Sequence, residues 1–497
     1  MKKRLIALFL LLALVLAGCQ KPSGCSAHTD GDNNGLCDNC QVSVLVTFDL
    51  YTINDLHGKI ADSSNNEGVD ELTTYLRNAH YTDENVILLS AGDMWQGSAE
   101  SNSTKGQLVV DWMNDLGFAA MALGNHEFDW GEEFIASNAA LADFPFLAIN
   151  VYDRETNKQV DYCESSMIVD CGKVQVGIIG AIGDCYSSIS PDHTKGIYFK
   201  TGSELTALVK AESEALKQQG ADYIIYVLHD GYGQSRGDEV KTIASSQLNG
   251  YYDVSLSDGY VDLVFEGHTH QQYVLRDEHG VLHLQGGGDN DAISHIEVTL
   301  NLANGSDSVS QNELLSIDYF TAFGDDPIVE ELMEKYADVL VRTDEVLATT
   351  KRKITGGQMC NIIAQLYYET GVEKWGDEYQ IALGGGFMSI RSPYDVNAGK
   401  ITYGMLQTIF PFDNELVLCS IKGQDLLDRF IHTDNTRYYI YENKAITNNI
   451  DPNGTYYVIV DSYSSTYKSN RLTEIERYGA PYYGRDMLAD YFRDGRM

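Results

Sequence analysis

The chain has 497 residues, 43% of them hydrophobic and 22% charged, with a formal net charge of -37. That length leaves room for two or three domains of ordinary soluble-globular composition. The acidic balance excludes a nucleic-acid polymer as partner, since no basic surface would neutralise a phosphate backbone. A small anionic substrate stays compatible where a bound cation inverts the local field.

In chain order, residues 1–19 read as an address. A basic start, Lys2 to Arg4, leads into an apolar run, Leu5 to Gly18, which is shorter than the roughly 20 residues of a membrane span. The run ends in Leu16-Ala17-Gly18-Cys19, which resembles the lipobox of bacterial lipoproteins. The resemblance implies cleavage before Cys19, a lipid on its sulfur, and a protein held at the cell membrane by that anchor alone, facing outside the cytoplasm. An ordinary secretory signal that happens to contain a cysteine is the alternative. Residues 20–41 then form a Cys-rich tether or small metal-binding segment. Cys25, His28, Cys37 and Cys40 are spaced for tetrahedral zinc. Overlaid on them, Asp30, Asp32, Asn34, Gly35 and Asp38 match five positions of a calcium loop, while Gln41 stands where that loop wants a bidentate Glu. Zinc, calcium, and a disulfide or plain tether all remain open. Cys163, Cys171, Cys185, Cys360 and Cys419 are scattered and read as buried thiols or one disulfide.

From residue 42 the pattern is strand and helix in alternation. Apolar or alternating runs predict strands within 43–55, 85–93, 118–123, 173–183, 222–229 and 261–266. Helical periodicity falls in 70–80, 106–117, 131–143 and 203–220. This alternation predicts a layered α/β sandwich. Five of the strands end in groups that bind metals: Asp55 and His57, Asp93, Asn125, His229, then His268 and His270. Carboxylate, amide and imidazole together suit zinc, manganese, iron or related divalent ions. One bridging carboxylate can hold two such ions about 3.5–4 Å apart and clamp an in-line phosphoryl displacement. A single His after a strand is usually structural; the ordered series is not explained that way. His80, His193, His279, His283, His295 and His432 join no motif and read as structural or surface.

The series Asn54-Asp55-Leu56-His57-Gly58, Gly92-Asp93, Gly124-Asn125-His126-Glu127, a strand-end His229 and Gly267-His268-Thr269-His270 resembles the calcineurin-like metallophosphoesterases. Within them it is most similar to the 5′-nucleotidase and UDP-sugar hydrolase family. The resemblance implies a four-layer α/β/β/α sandwich over residues 42–325. It implies two divalent ions, zinc, manganese or similar. Asp55, His57 and His270 would hold one, Asn125, His229 and His268 the other, with Asp93 bridging. It also implies that His126 is the catalytic group beside the phosphate, protonated and oriented by Asp129. A buried hydrogen-bonding role for His126 is the alternative.

Residues 326–345 have helical periodicity and read as a linker helix. Residues 346–497 resemble the smaller α+β C-terminal domain of the same family, which forms the substrate pocket. The resemblance places one base-stacking aromatic at Phe412 and its partner at Tyr463, a sandwich worth about 1–3 kcal/mol per base. Gly385, Gly386 and Arg391 would also contact substrate. The pattern departs from the family: Leu383 replaces an Asn, Arg391 is displaced, an earlier Arg is Thr355 or shifted to Arg352, and a late Gly-rich motif is missing. Fewer arginine forks weaken bidentate recognition of phosphate or carboxylate. The expected activity is release of phosphate from nucleoside 5′-monophosphates or related small phosphoesters by metal-activated water. The alternatives are a 2′,3′-cyclic nucleotide phosphodiesterase, a UDP-sugar pyrophosphatase, or a surface lipoprotein that binds nucleotide or glycan without catalysis.

Overall fold

The computed structural model describes residues 29–496 apart from 33, 63–67, 83–84, 236, 243, 245–251, 389, 392–393, 434–435, 437 and 467–470. Cys19, Cys25 and His28 therefore lie outside the described residues.

Two sheets build the N-terminal half. The first has six strands in the order Asp307–Ser316, Ala292–Asn301, Leu45–Ile53, Val86–Ser90, Ala120–Ala122, Phe146–Leu147. The second has seven, in the order Gly237–Thr242, Gln272–Arg276, Leu282–Gly286, Leu263–Glu266, Tyr223–His229, Val174–Ile182, Ser166–Cys171. Phe48, Leu50, Ile87 and Leu89 of the first sheet share one buried cluster with Ile178, Ile225, Val227 and Phe265 of the second. The sheets therefore pack face to face. Helices Asp70–Thr82 and Gln107–Leu116 cover the outer face of the first, and Ser203–Gln219 that of the second. The result is the four-layer α/β/β/α order.

What matters for function is strand direction. Leu45–Ile53, Val86–Ser90 and Ala120–Ala122 run parallel, as do Val174–Ile182, Tyr223–His229 and Leu263–Glu266. Each set delivers its carboxyl ends to one edge, and open α/β sheets bind ligands there. The predicted metal-type residues all follow these ends.

The expected linker helix is interrupted. Ile328–Lys335 is followed by a separate turn, Ala337–Leu340, and Val346–Thr350 is already a strand. Tyr336, at the break, is drawn to the N-terminal domain, its hydroxyl donating to Asp111 at 2.6 Å. The C-terminal domain is a five-stranded sheet in the order Tyr438–Glu442, Ile381–Phe387, Thr455–Asp461, Leu416–Lys422, Thr473–Tyr478. Helix Gly356–Trp375 packs on one face, its start fixed by a capping box between Thr355 and Gln358. Among the described residues, no helix is long and apolar enough to cross a membrane.

Candidate metal centre and active site

The strand-end groups converge. Ligand atoms of Asp55, His57 and His270 lie within 4.8 Å of one another, as do those of Asp55, Asp93 and His229, and those of Cys185, His229 and His268. The trios share Asp55 and His229, so they form one continuous centre. His57 Nε2 and His270 Nε2 face each other at 3.0 Å. His229 Nε2 sits 3.2 Å from Asp93 Oδ2 and 3.3 Å from Asn125 Oδ1.

The outer contacts select the tautomer. His57 Nδ1 donates to the carbonyl of Gln96 at 2.8 Å, and His229 Nδ1 to that of Ala91 at 2.6 Å. Each ring thus turns Nε2 inward, the nitrogen left for a cation, as in metal-ligating histidines. Asp55 Oδ2 is fixed by Asn54 Nδ2 and the His268 amide, both at 2.8 Å, while its buried Oδ1 accepts no hydrogen bond and faces His270 Nε2 at 3.3 Å. A buried carboxylate oxygen without a donor is costly unless a cation completes it. The residues present therefore fit divalent metal ions.

Backbone strain marks the same residues. Asp55, His57, Asp93, His268 and His270 all have left-handed φ, between +51° and +70°. Each such residue costs about 1–2 kcal/mol, and strain of this kind gathers at functional sites. Electrostatics agree. Burial opposes charge on His229, yet the Asp93 carboxylate beside it lifts the group to about 10. Burial and the neighbouring His229 push His268 down to about 4. Burial also holds His57 well below its usual value, while on His270 burial is outweighed by the Asp55 carboxylate, which raises it.

His126 lies at the rim. Its amide donates to Asp93 Oδ1 at 2.8 Å, and its Nδ1 meets Asp129 Oδ2 at 2.6 Å. Gly124, two residues earlier, is required: a Cβ there would stand 2.3 Å from Asp93 Oδ1. Arg391 reaches this ring from the C-terminal domain, donating from Nη2 to His126 Nε2 at 2.8 Å and from Nε to Gln96 Oε1 at 3.1 Å. With Nε2 accepting, the ring proton sits on Nδ1 facing Asp129. Arg391 thus brings a cationic guanidinium against the ring of His126.

A cavity of about 880 Å³ opens over the centre between the two domains. Asn125, His126 and His268 form one end, and Phe412, Tyr463 and Phe387 line it further out. Phe387 is the aromatic that sequence reasoning missed. It packs against Tyr463 at 5.7 Å between ring centroids, whereas Phe412 lies 6.2 Å from His126. Its signal was present in the sequence as the ring directly after three glycines. Gly385 and Gly386 do not line this cavity. A Cβ on Gly385 would stand 2.0 Å from the Tyr439 carbonyl, and one on Gly386 would stand 2.5 Å from Ser464 Oγ. Gly385 packs on the neighbouring strand and Gly386 on the turn of helix that starts at Ser462, and the cavity wall there is Phe387.

Glu127 also went unassigned. Its buried carboxylate accepts from the amides of Asp93, Met94 and Gly124 at 2.9, 2.9 and 2.7 Å, joining two strand-end loops. His283 and His295 are structural as read, the first between Glu266 and Asp277, the second between Asp49 and Glu313. Near the N-terminus, Asp30, Asp32 and Asp38 bring carboxylates within 4.8 Å, and Cys37 is buried beside them in sequence. Cys163, Cys185, Cys360 and Cys419 are buried thiols.

Residues 49–272 match the calcineurin-like phosphoesterase family, and residues 338–444 match the 5′-nucleotidase C-terminal domain. Both matches agree with the two-domain division of the fold. The matches support a metal-dependent phosphoester hydrolase. A 5′-nucleotidase of Vibrio cholerae is 33% identical over 187 residues, covering 37% of this chain and 32% of that protein. A 5′-nucleotidase of Diplobatis ommata is 24% identical over 432 residues, covering 77% of this chain and 70% of that protein. The chain thus spans about a third of the length of the Vibrio relative. The crystal structure of a 5′-nucleotidase precursor from Thermus thermophilus superposes with a TM-score of 0.66 at 20% identity, covering 90% of this chain and 96% of that one, so the two share a fold.

Proposed function

We propose that this phosphoesterase is a dinuclear metallohydrolase, held outside the cytoplasm by a lipid on Cys19, that releases phosphate from nucleoside 5′-monophosphates or related small nucleotides. The observation that carries it is the convergence of Asp55, His57, Asp93, His229 and His270 beneath a cavity lined by Phe387, Phe412 and Tyr463. The 5′-nucleotidase relatives and the matched C-terminal domain support the nucleotide class.

Asp55, His57 and His270 would hold one cation and Asn125, His229 and His268 the other, with Asp93 shared; the donor set suits zinc or manganese. Bound divalent cations supply charge that offsets the phosphoryl oxygens and acidifies a water. The chain's own residues do the rest. Phe387, Phe412 and Tyr463 take the base and so fix the phosphoryl end toward His126. The Arg391 guanidinium, lying against His126 Nε2, is placed to transfer its donors to phosphoryl oxygens as substrate enters. That frees His126 Nε2 to carry a proton, with Asp129 stabilising the resulting imidazolium. The proton then stabilises the developing alkoxide of the leaving nucleoside.

Phosphate release from AMP, UMP, UDP-glucose, 2′,3′-cyclic nucleotides and p-nitrophenyl phosphate, with manganese, zinc, cobalt or calcium supplied in turn, tests this. Preference for 5′-monophosphates is expected. Turnover confined to cyclic nucleotides or UDP-glucose would replace the substrate class, and inertness toward all of them would leave a surface nucleotide- or glycan-binding protein.

A further inference from the structure

The loop carrying His268 and His270 is held in an unfavourable shape, both residues having left-handed φ, +70° and +53°. Besides the Asp55 carboxylate, which accepts from the His268 amide, one side chain beneath the loop holds that shape. Gln285, on strand Leu282–Gly286, is fully buried. Its Oε1 accepts from Thr269 Oγ1 at 3.0 Å and from the Gln271 amide at 2.9 Å. Its Nε2 contacts the Gly267 carbonyl at 2.8 Å and Tyr273 Oη at 3.0 Å. The Gln271 amide on Oε1 and the Gly267 carbonyl on Nε2 fix the orientation of the amide, while the Thr269 hydroxyl is shared with the Tyr232 carbonyl at 2.8 Å.

The contact continues behind it. Tyr273 Oη donates to Glu266 Oε2 at 2.7 Å and accepts from the Tyr232 amide at 2.9 Å. Glu266 closes the strand that enters the loop. Space for the amide is reserved by Gly231, where a Cβ would stand 2.1 Å from Gln285 Nε2. Gln285 therefore binds the loop at Gly267, Thr269 and Gln271, positions that flank each histidine.

We propose that Gln285 is a positioning residue of the metal centre, which fixes the backbone bearing His268 and His270 and so sets the affinity of both cation sites together. The inference rests on the metal-centre reading given under Proposed function. His268 groups with Cys185 and His229, and His270 with Asp55 and His57. A loosened loop withdraws a ligand from each group at once, whereas loss of a ligand such as His57 weakens one group first.

The test is calorimetric titration of the chelator-stripped full chain with manganese and with zinc. Wild type, Gln285→Ala, Gln285→Glu and His57→Ala are compared, with circular dichroism and thermal unfolding of each ion-free protein alongside. Gln285→Ala is expected to weaken both binding steps by about 10–100-fold, the usual effect of losing a partner that orients metal ligands, while the ion-free variant still unfolds cooperatively. Gln285→Glu keeps the acceptor for Thr269 and Gln271 and is expected to recover part of the affinity. His57→Ala should weaken one step more than the other. A folded Gln285→Ala that binds both equivalents like wild type overturns the positioning role. Should that variant not fold, Gln285→Glu decides by the same criterion, weaker binding at both steps supporting the role and wild-type binding overturning it. Wild type that binds no divalent cation overturns the metal-centre reading and this inference with it, and is distinguishable because the failure is then in the parent protein.

Discussion

Replacing Glu127 with Gln tests whether the candidate centre depends on one buried carboxylate. Glu127 Oε2 accepts from the Asp93 and Gly124 amides, and Oε1 accepts from Met94. A glutamine can place its oxygen at the Oε2 position and keep two of the three bonds. Its NH₂ then points at the Met94 amide, donor against donor, in a fully buried site. Leaving one buried amide unsatisfied costs about 1–3 kcal/mol, and bonds to a charged acceptor are at the upper end. The expected destabilisation is therefore about 2–3 kcal/mol, a large share of the 5–15 kcal/mol that holds a typical domain together. Glu127→Ala strands all three amides and should approach loss of the fold. Denaturant unfolding of the ion-free chain, followed by circular dichroism, measures the first effect. Metal titration should show weaker binding as well, since the Asp93 loop is one of the two that Glu127 joins. If Glu127→Gln unfolds at the wild-type denaturant concentration and binds metal normally, the three amides do not depend on this carboxylate and the reasoning fails.

Arg391→Ala should lower kcat/KM by about 10²–10³, the range for losing one preorganised donor to the transition state, with metal content unchanged by elemental analysis; full activity would remove Arg391 from the reacting centre. Phe412→Ala and Phe387→Ala should raise KM for nucleotides more than for p-nitrophenyl phosphate, and equal effects on both substrates would exclude base stacking by those rings. Asp461 offers a pH prediction. Burial raises its carboxyl from 3.8 to about 6 against the bonds it accepts from Ser464 at 2.7 and 2.8 Å. Between those values the folded chain keeps a proton that the unfolded chain has lost, so this group's contribution to stability declines as pH rises through that window. The charged, buried form costs about 3 kcal/mol above it. Asp461→Asn, which keeps an acceptor for the Ser464 amide, should therefore gain Tm over wild type at pH 8 and little at pH 5; parallel Tm curves for the two proteins would refute it.

The strand ends were legible because each ligand directly follows an apolar strand, so a run such as Val86–Ser90 locates Asp93 without knowledge of the rest. What could not be read is how the chain bends there. Nothing in the residue types of Asp55 or His270 announces left-handed φ, which arises from contacts hundreds of residues apart, such as Asp55 with the His268 amide. Glu127 lies inside a motif, yet a carboxylate that binds three amides looks in sequence like any acidic residue. Phe387 follows three glycines, and nothing in that local pattern distinguishes a cavity wall from core. The linker helix was overestimated because periodicity continues past Tyr336, and that residue's bond to Asp111 is a tertiary preference that overrides local pattern. Arg391 was recognised as a substrate-side group, but its approach to His126 depends on how two domains meet.

That meeting has a consequence for the chain between them. The guanidinium of Arg391 is anchored in one folding unit, its amide donating to the Ile409 carbonyl at 3.0 Å, and ends on an imidazole of the other. Reactivity then belongs to the apposition, and neither half cut from its neighbour would retain it. Residues 326–345, which contribute no group to the chemistry, are constrained in length all the same, because adding or deleting a few of them would slide the arginine away from the ring it serves.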